Sequence, residues 1–195
     1  GNYSKEDFMK MKNVLLPAFA FGFLISASAA YAEGEVDPVT TTGGQVTFNG
    51  EITKGACSVA SDDTNKIVNL DTVRSSVFTA KDQVANARKP FTISLQDCDT
   101  TTYKNVSVSF TGQADATSPN LLANNAGAGA ATNVGLQIYG PNNEALALGT
   151  GQTAPVALNE GATSTINFAA DYVSTAAVVG AGKVQSVANF MLTYN

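Results

Sequence analysis

Histidine and tryptophan are absent from this 195-residue sequence, and cysteine occurs only twice, at Cys57 and Cys98. Without an imidazole, Ser-His-Asp and Cys-His nucleophile systems are excluded, as is any metal site that needs a histidine ligand. Charge is scarce too. Asp, Glu, Lys and Arg together make up 14% of the chain, well below the usual share in a globular domain. The 11 Lys and Arg are outnumbered by 16 Asp and Glu, giving a net charge of −5. Such a chain cannot neutralise a phosphate backbone, so no nucleic-acid partner is expected. Asp97, Asp99 and Asp115 lack the dense Asp/Asn/Gly spacing of a calcium loop, and they read as solvated carboxylates. Neither a catalytic residue, a metal, a cofactor nor a small-molecule substrate is expected. What remains is an ordinary apolar share of 44%, with 17 Gly and 6 Pro. That suffices for the packed core of a single domain.

The first residues read as an address. From Met9, Lys10 and Lys12 form a basic n-region, Val14 to Ile25 is a short apolar run, and Ala30-Tyr31-Ala32 closes an Ala-x-Ala cleavage site. This is the pattern of a secretory signal peptide over residues 9–32. As a helix the apolar run would span only about 18 Å, too short to cross a bilayer. Residues 1–8 lie upstream of the signal and match no part of it. Cleavage leaves a chain from Glu33 with 8 basic and 14 acidic residues, and hence a net charge of −6. Export also settles how the two cysteines are read. In an oxidising compartment Cys57 and Cys98 most simply pair, and a closed loop of ~40 residues implies about 4 kcal/mol of stabilisation in the chain-entropy model. A thiolate metal site would need a CxxC or a partnering histidine.

Period-2 alternation recurs along the rest of the chain, and helical periodicity does not. Val106, Val108 and Phe110 alternate with Ser107 and Ser109. Val134, Leu136 and Ile138 form a second run, and Ile166, Phe168, Ala170 and Tyr172 a third. Phe91, Ile93 and Leu95 form a fourth just ahead of Cys98. Turn residues separate them, at 62–65, 140–143, 149–151 and 180–182. One helical turn is expected over 73–78, and the Ala/Gly/Asn stretch 123–132 reads as a flexible exposed loop. Short strands with one dry and one wet face predict a two-sheet antiparallel sandwich.

Two stretches carry more information. Val46, Phe48 and Ile52 share one face of an alternating segment, with Gly50 between them, behind a polar lead over 33–43 that reads as a mobile arm. At the other end Val184, Ser186, Ala188, Phe190, Leu192 and Tyr194 lie on one face of a strand expected over 182–195. Alternation alone also allows a complete seven-stranded sandwich, with Val46 and Phe48 in its own first strand.

These features, in this order, resemble the pilin subunits of the bacterial chaperone–usher pathway, above all the type 1-like major pilins. The likeness rests on the signal peptide, the Val46-x-Phe48-x-Gly50-x-Ile52 arm, Cys57 soon after it, and Cys98 in Leu95-Gln96-Asp97-Cys98-Asp99. It continues through the run 131–138 and the Asp171-Tyr172 strand to Gly182, fourteenth from the end, and the penultimate Tyr194. The resemblance implies an incomplete immunoglobulin-like antiparallel β-sandwich that lacks its last strand and is completed in trans by a donor strand. Residues 33–52 would be the donor extension and 53–195 the pilin domain. Val46, Phe48, Gly50 and Ile52 would be donor residues, Gly50 passing where a side chain has no room. Gly182, Val184, Phe190, Leu192, Tyr194 and Asn195 would belong to the strand beside the acceptor groove, which the chaperone also contacts, and the Asn195 carboxylate would anchor to the chaperone. The implied function is the shaft of an adhesive fimbria, exported through the periplasm to the cell surface. The implied partners are neighbouring pilin subunits, a periplasmic chaperone and an outer-membrane usher. A minor pilin, tip adaptor or adhesin subunit is the alternative within the same kind of fibre.

Overall fold

Nine antiparallel strands among the described residues build two facing sheets. The computed structural model describes Gly34 and residues 36–195; the expected signal peptide and the residues upstream of it lie outside this range. Asn49–Asn195 forms one compact unit. The first sheet runs in the order β1 (Ser58–Val59), β2 (Lys89–Gln96), β8 (Ser164–Ser174), β5 (Val134–Tyr139), β4 (Leu122–Ala123), with β6 (Ala145–Leu146) also on β5. The second is β7 (Val156–Ala157), β3 (Asn105–Gly112), β9 (Ala188–Tyr194). The all-β sandwich expected from the alternation is thus present, and a single 3-10 turn at Ser75–Val77 stands where a helical turn was expected.

The alternating runs point where their pattern says. Ile93 and Leu95 of β2, Val106, Val108 and Phe110 of β3, and Ile166 and Phe168 of β8 are all buried. Their aromatic rings lock the sheets together. Phe168 lies 5.4 Å from Phe91 in its own sheet and 5.2 Å, edge-on, from Phe110 across the sandwich. Edge-to-face packing of this kind adds to the area burial itself. Cys57 and Cys98 form a disulfide across 41 residues, and the Asp99 amide donates to the Ala56 carbonyl beside it.

Two segments depart from the alternating pattern. β5 is buried on both faces, because Gln137 turns its amide into the fold and donates to the Ile138 and Leu146 carbonyls. Asp171 of β8 is only 1% exposed; its carboxylate accepts from the Ala87 and Tyr172 amides. The covering strip is residues 82–87, which run against the end of β8 through the Asp82, Ala85 and Ser174 amides.

The last strand is shorter than expected. β9 begins at Ala188, not at residue 182, because 183–185 spend their backbone hydrogen bonds elsewhere. The Lys183 amide donates to the Gly129 carbonyl, the Lys183 carbonyl accepts from Ala131, and the Gln185 carbonyl accepts from Asn125. The Asn124 side chain completes the tie, donating to the carbonyls of Ala131 and Lys183 and accepting from Gln185. The same bonds correct the reading of 123–132 as a free loop: it is pinned at Asn124 and Asn125 and again at Gly129 and Ala131.

Candidate functional site: an open groove beside the last strand

β3 is the only strand that β9 pairs with among the described residues, in a register running from Val106 opposite Tyr194 to Gly112 opposite Ala188. On its other side β3 is fully covered, by β7 and by bonds from the Gly149 and Thr153 amides. The free edge of β9 therefore faces a trough. Phe91, Ile93, Phe110, Leu136 and Ile138 floor it, and it encloses about 660 Å³. Its far wall is the segment Asp63–Leu70. Residues 64–70 make no backbone–backbone hydrogen bond among the described residues. Beyond Val184 and Gln185 the trough continues into a second hollow of about 800 Å³, lined by Val73, Phe78, Val134, Val179 and Gly182 among others.

The far wall is held at both ends. At one end the Asp63 carboxylate, 7% exposed, pairs with Lys66 at 2.7 Å and accepts from the Ser94 amide at 2.7 Å, while Lys66 also donates to the Thr92 carbonyl. Burial alone would push the Asp63 carboxyl up, but the Lys66 ammonium and the Ser94 amide together hold it below the usual carboxylate range. At the other end Lys89 meets Asp71 at 3.2 Å, and the Tyr172 hydroxyl donates to the Asp71 carbonyl at 2.8 Å. Burial, with the carboxylates of Asp71 and Asp171 nearby, raises the Tyr172 hydroxyl pKa.

The anticipated acceptor residues take distinct places around this trough. Val184 and Phe190 line it directly, with Phe190 6.5 Å from Phe110. Leu192 and Tyr194 continue the inner face of β9, half-buried against the core. The Tyr194 ring sits over Gly55, where a Cβ would come within 2.8 Å of it. Its hydroxyl donates to the Cys57 carbonyl at 3.4 Å. Burial raises the Tyr194 hydroxyl pKa, and that hydrogen bond offsets part of the rise. The Asn195 carbonyl accepts from the Lys104 and Asn105 amides, extending the ladder to the final residue. Gly182 closes the far hollow, where a Cβ would stand 2.5 Å from both the Ala130 carbonyl carbon and the Gly129 oxygen.

The anticipated donor residues present a different picture. No strand occurs among the described residues before Ser58. Val46 is 74% exposed, Phe48 90% and Ile52 100%, and nothing lies within 4 Å of where a Gly50 Cβ would stand. Three large apolar side chains at period-2 positions are left in water. Sequence reasoning missed the far wall. Its one signal is the apolar cluster Ile67-Val68-x-Leu70, which breaks alternation at Ile67.

An apolar trough flanked by two unpaired backbone edges can receive one extended strand, with main-chain bonds on either side and alternate side chains pointing into the floor. Comparison with known proteins shows the family. A family model described as fimbrial protein matches residues 46–195, from the exposed arm to the last residue. The chain belongs to the fimbrial protein family. It is 41% identical over 165 residues to the probable major fimbrial subunit LpfA of Escherichia coli O157:H7, covering 85% of this chain and 91% of that one. A type I fimbria protein of Burkholderia pseudomallei superposes with a TM-score of 0.55 at 29% identity, over 73% of this chain and 91% of the other. A chaperone–usher pilus structure superposes with a TM-score of 0.66 at 23% identity, over 82% of this chain and all of the other. This is a family of structural fimbrial proteins, not of enzymes, and the fold is the antiparallel immunoglobulin-like sandwich of pilins.

Proposed function

We propose that this fimbrial protein is the shaft-forming subunit of an adhesive surface fimbria, and that it polymerises by donor-strand exchange. Residues 42–52 of one copy enter the trough beside β9 of the next, with Val46, Phe48 and Ile52 facing its floor and Gly50 passing a narrow point. The observation that carries this reading is the match between an unpaired apolar trough and an exposed apolar segment of the same chain. Burying Val, Phe and Ile contributes about 5–9 kcal/mol gross, before the cost of ordering the arm. Backbone pairing along both walls adds to that. A head-to-tail joint of this kind does not close on itself, so the product is a filament. Before assembly, a periplasmic chaperone fills the trough and shields an edge that would otherwise aggregate. An outer-membrane usher then exchanges the chaperone strand for the arm of the next subunit. The likeness to a probable major subunit favours the shaft over a minor pilin or adaptor.

Thermal unfolding of the domain lacking residues 1–52, with and without a peptide covering 42–52, tests the proposal. The peptide should raise the melting temperature by tens of degrees, on the order of what several kcal/mol does for a domain of this size. A Phe48→Asp peptide should fail. A truncated domain that melts cooperatively at high temperature and ignores the peptide would mean that the sandwich is already complete.

A further inference from the structure

Asn49-Gly50 is the sole Asn-Gly pair in the sequence, and it falls inside the arm. Both residues are exposed and lie outside any strand or helix. The Gly50 amide donates to no acceptor among the described residues, and the space around its α-carbon is open. These are the conditions under which an asparagine side chain reacts with its own backbone. The Gly50 nitrogen attacks Cγ of Asn49, the new C–N bond closes a five-membered succinimide, and the side-chain nitrogen leaves as ammonia. Water then opens the ring. Addition at the former side-chain carbonyl yields aspartate, and addition at the main-chain carbonyl yields isoaspartate. A residue with a Cβ after Asn49 would crowd the ring; glycine does not.

We propose that Asn49 is a spontaneous deamidation site that ages unassembled subunits, and that strand pairing protects it. The ageing role rests on the donor-strand reading; the chemistry at Asn49 does not. Ring closure requires the Asn49 backbone to turn until the Gly50 nitrogen reaches Cγ, and a strand held extended by bonds on both edges cannot turn. In a filament the site is therefore locked. In a free subunit it is not. Isoaspartate inserts one extra carbon into the main chain between Phe48 and Gly50. Val46 and Phe48 then leave the two-residue period that Ile52 shares, and in a strand a register error sends side chains to the wrong face. The aged arm also carries a carboxylate at residue 49. A subunit that waits too long loses its capacity to donate while its own trough stays intact, and so fails to join a growing fibre.

The experiment follows purified mature subunit held monomeric and assembled fibre in parallel, at mildly alkaline pH. Deamidation is read by mass in the tryptic peptide that ends at Lys54, and isoaspartate by methyltransferase labelling. The free subunit should lose Asn49 at least about tenfold faster than the fibre, as expected when reaction requires local opening. Asn49→Gln, which cannot form the five-membered ring readily, should remain unmodified. Aged subunit should add to fibre ends more slowly than fresh subunit, whereas aged Asn49→Gln should match its own fresh sample. A free subunit that keeps Asn49 intact would overturn the inference and leave the donor-strand reading untouched. Equal loss in monomer and fibre would establish the chemistry but show that residues 49–50 are not paired in the fibre, overturning both protection and the donor reading. Aged subunit that polymerises as well as fresh would overturn the ageing role.

Discussion

Gly182 and Gly180 stand two residues apart in the same turn, and the structure separates them sharply. A Cβ on Gly182 would collide with main-chain atoms of Gly129, Ala130 and Ala131; a Cβ on Gly180 would meet the Thr132 hydroxyl, with the Thr132 amide a comfortable 3.8 Å away. The hydroxyl can rotate out of the way, but backbone cannot. In Gly182→Ala the strip 180–185 must lift from 129–131, and the bonds from Lys183 to Gly129 and from Ala131 to Lys183 stretch or break. Two backbone hydrogen bonds at about 1 kcal/mol each, or an equivalent overpacking strain of 1–3 kcal/mol, put the cost at roughly 2–3 kcal/mol. Gly180→Ala should cost about 1 kcal/mol or less, since only a side chain has to give. Urea unfolding of the mature protein, followed by circular dichroism, measures both. The midpoint of Gly182→Ala should fall well below that of Gly180→Ala with the slope unchanged, and its melting temperature should drop by about 4–12 °C. Equal costs, or a Gly182→Ala variant as stable as the parent, would refute the claim that this glycine is required by close backbone approach.

Two further outcomes follow from the walls of the trough and the covalent tie. The folded-state pKa of Asp63 is lowered, so its stabilisation is complete above the unfolded value of about 4 and is lost as pH falls through the folded one. Asp63→Asn should therefore be less stable than the parent at neutral pH, by about 1 kcal/mol, and the gap should close in acid; a gap that persists well below that range would show the charge to be irrelevant. Replacing Cys57 and Cys98 with Ser should cost about 4 kcal/mol in equilibrium unfolding, and an unchanged midpoint would mean that the bond constrains little.

Much of the fold was legible because strand periodicity is local. The apolar positions of β2, β3 and β8 point inward as the alternation says, since each of those strands has one face on the core. β5 and the end of β8 misled for the opposite reason. Gln137 and Asp171 sit at positions that alternation assigns to water, yet both are buried, Gln137 against the neighbouring β6 and Asp171 under residues 82–87, and the period of a strand does not report what covers its outer face. Phe190 and Val184 were legible as inward-facing because they continue an alternating face, but that this face borders a groove came only from the resemblance to pilins. The opposite wall was not legible, because Asp63–Leu70 leaves a 3-10 turn into a stretch without backbone pairing and has no period to read. Its position depends on Asp63, Lys66 and Asp71, whose bonds to Ser94, Thr92, Lys89 and Tyr172 span 18 to 101 residues. Gly182 could be singled out in the sequence, but the reason for it, the backbone of 129–131, became visible only with the loop in place.

The meeting of Tyr194, Gly55 and the disulfide has a mechanical consequence for a filament built by strand donation. Tension along such a fibre enters each subunit at the root of its arm and must reach the strand that grips the next one. Here that route is short. Gly55 lies under the Tyr194 ring, Cys57 accepts from the Tyr194 hydroxyl, and the Cys57–Cys98 bond carries load directly to the end of β2. Force therefore reaches β9 at its C-terminal end and β2 through a covalent bond, bypassing the loops between them. Pulled along their axes, these strands are loaded in shear, with many hydrogen bonds sharing the strain at once instead of opening one by one. Survival under pulling depends on the rate of forced unfolding. A subunit wired in this way would yield first at its joints or between its neighbours, and last within its own sandwich.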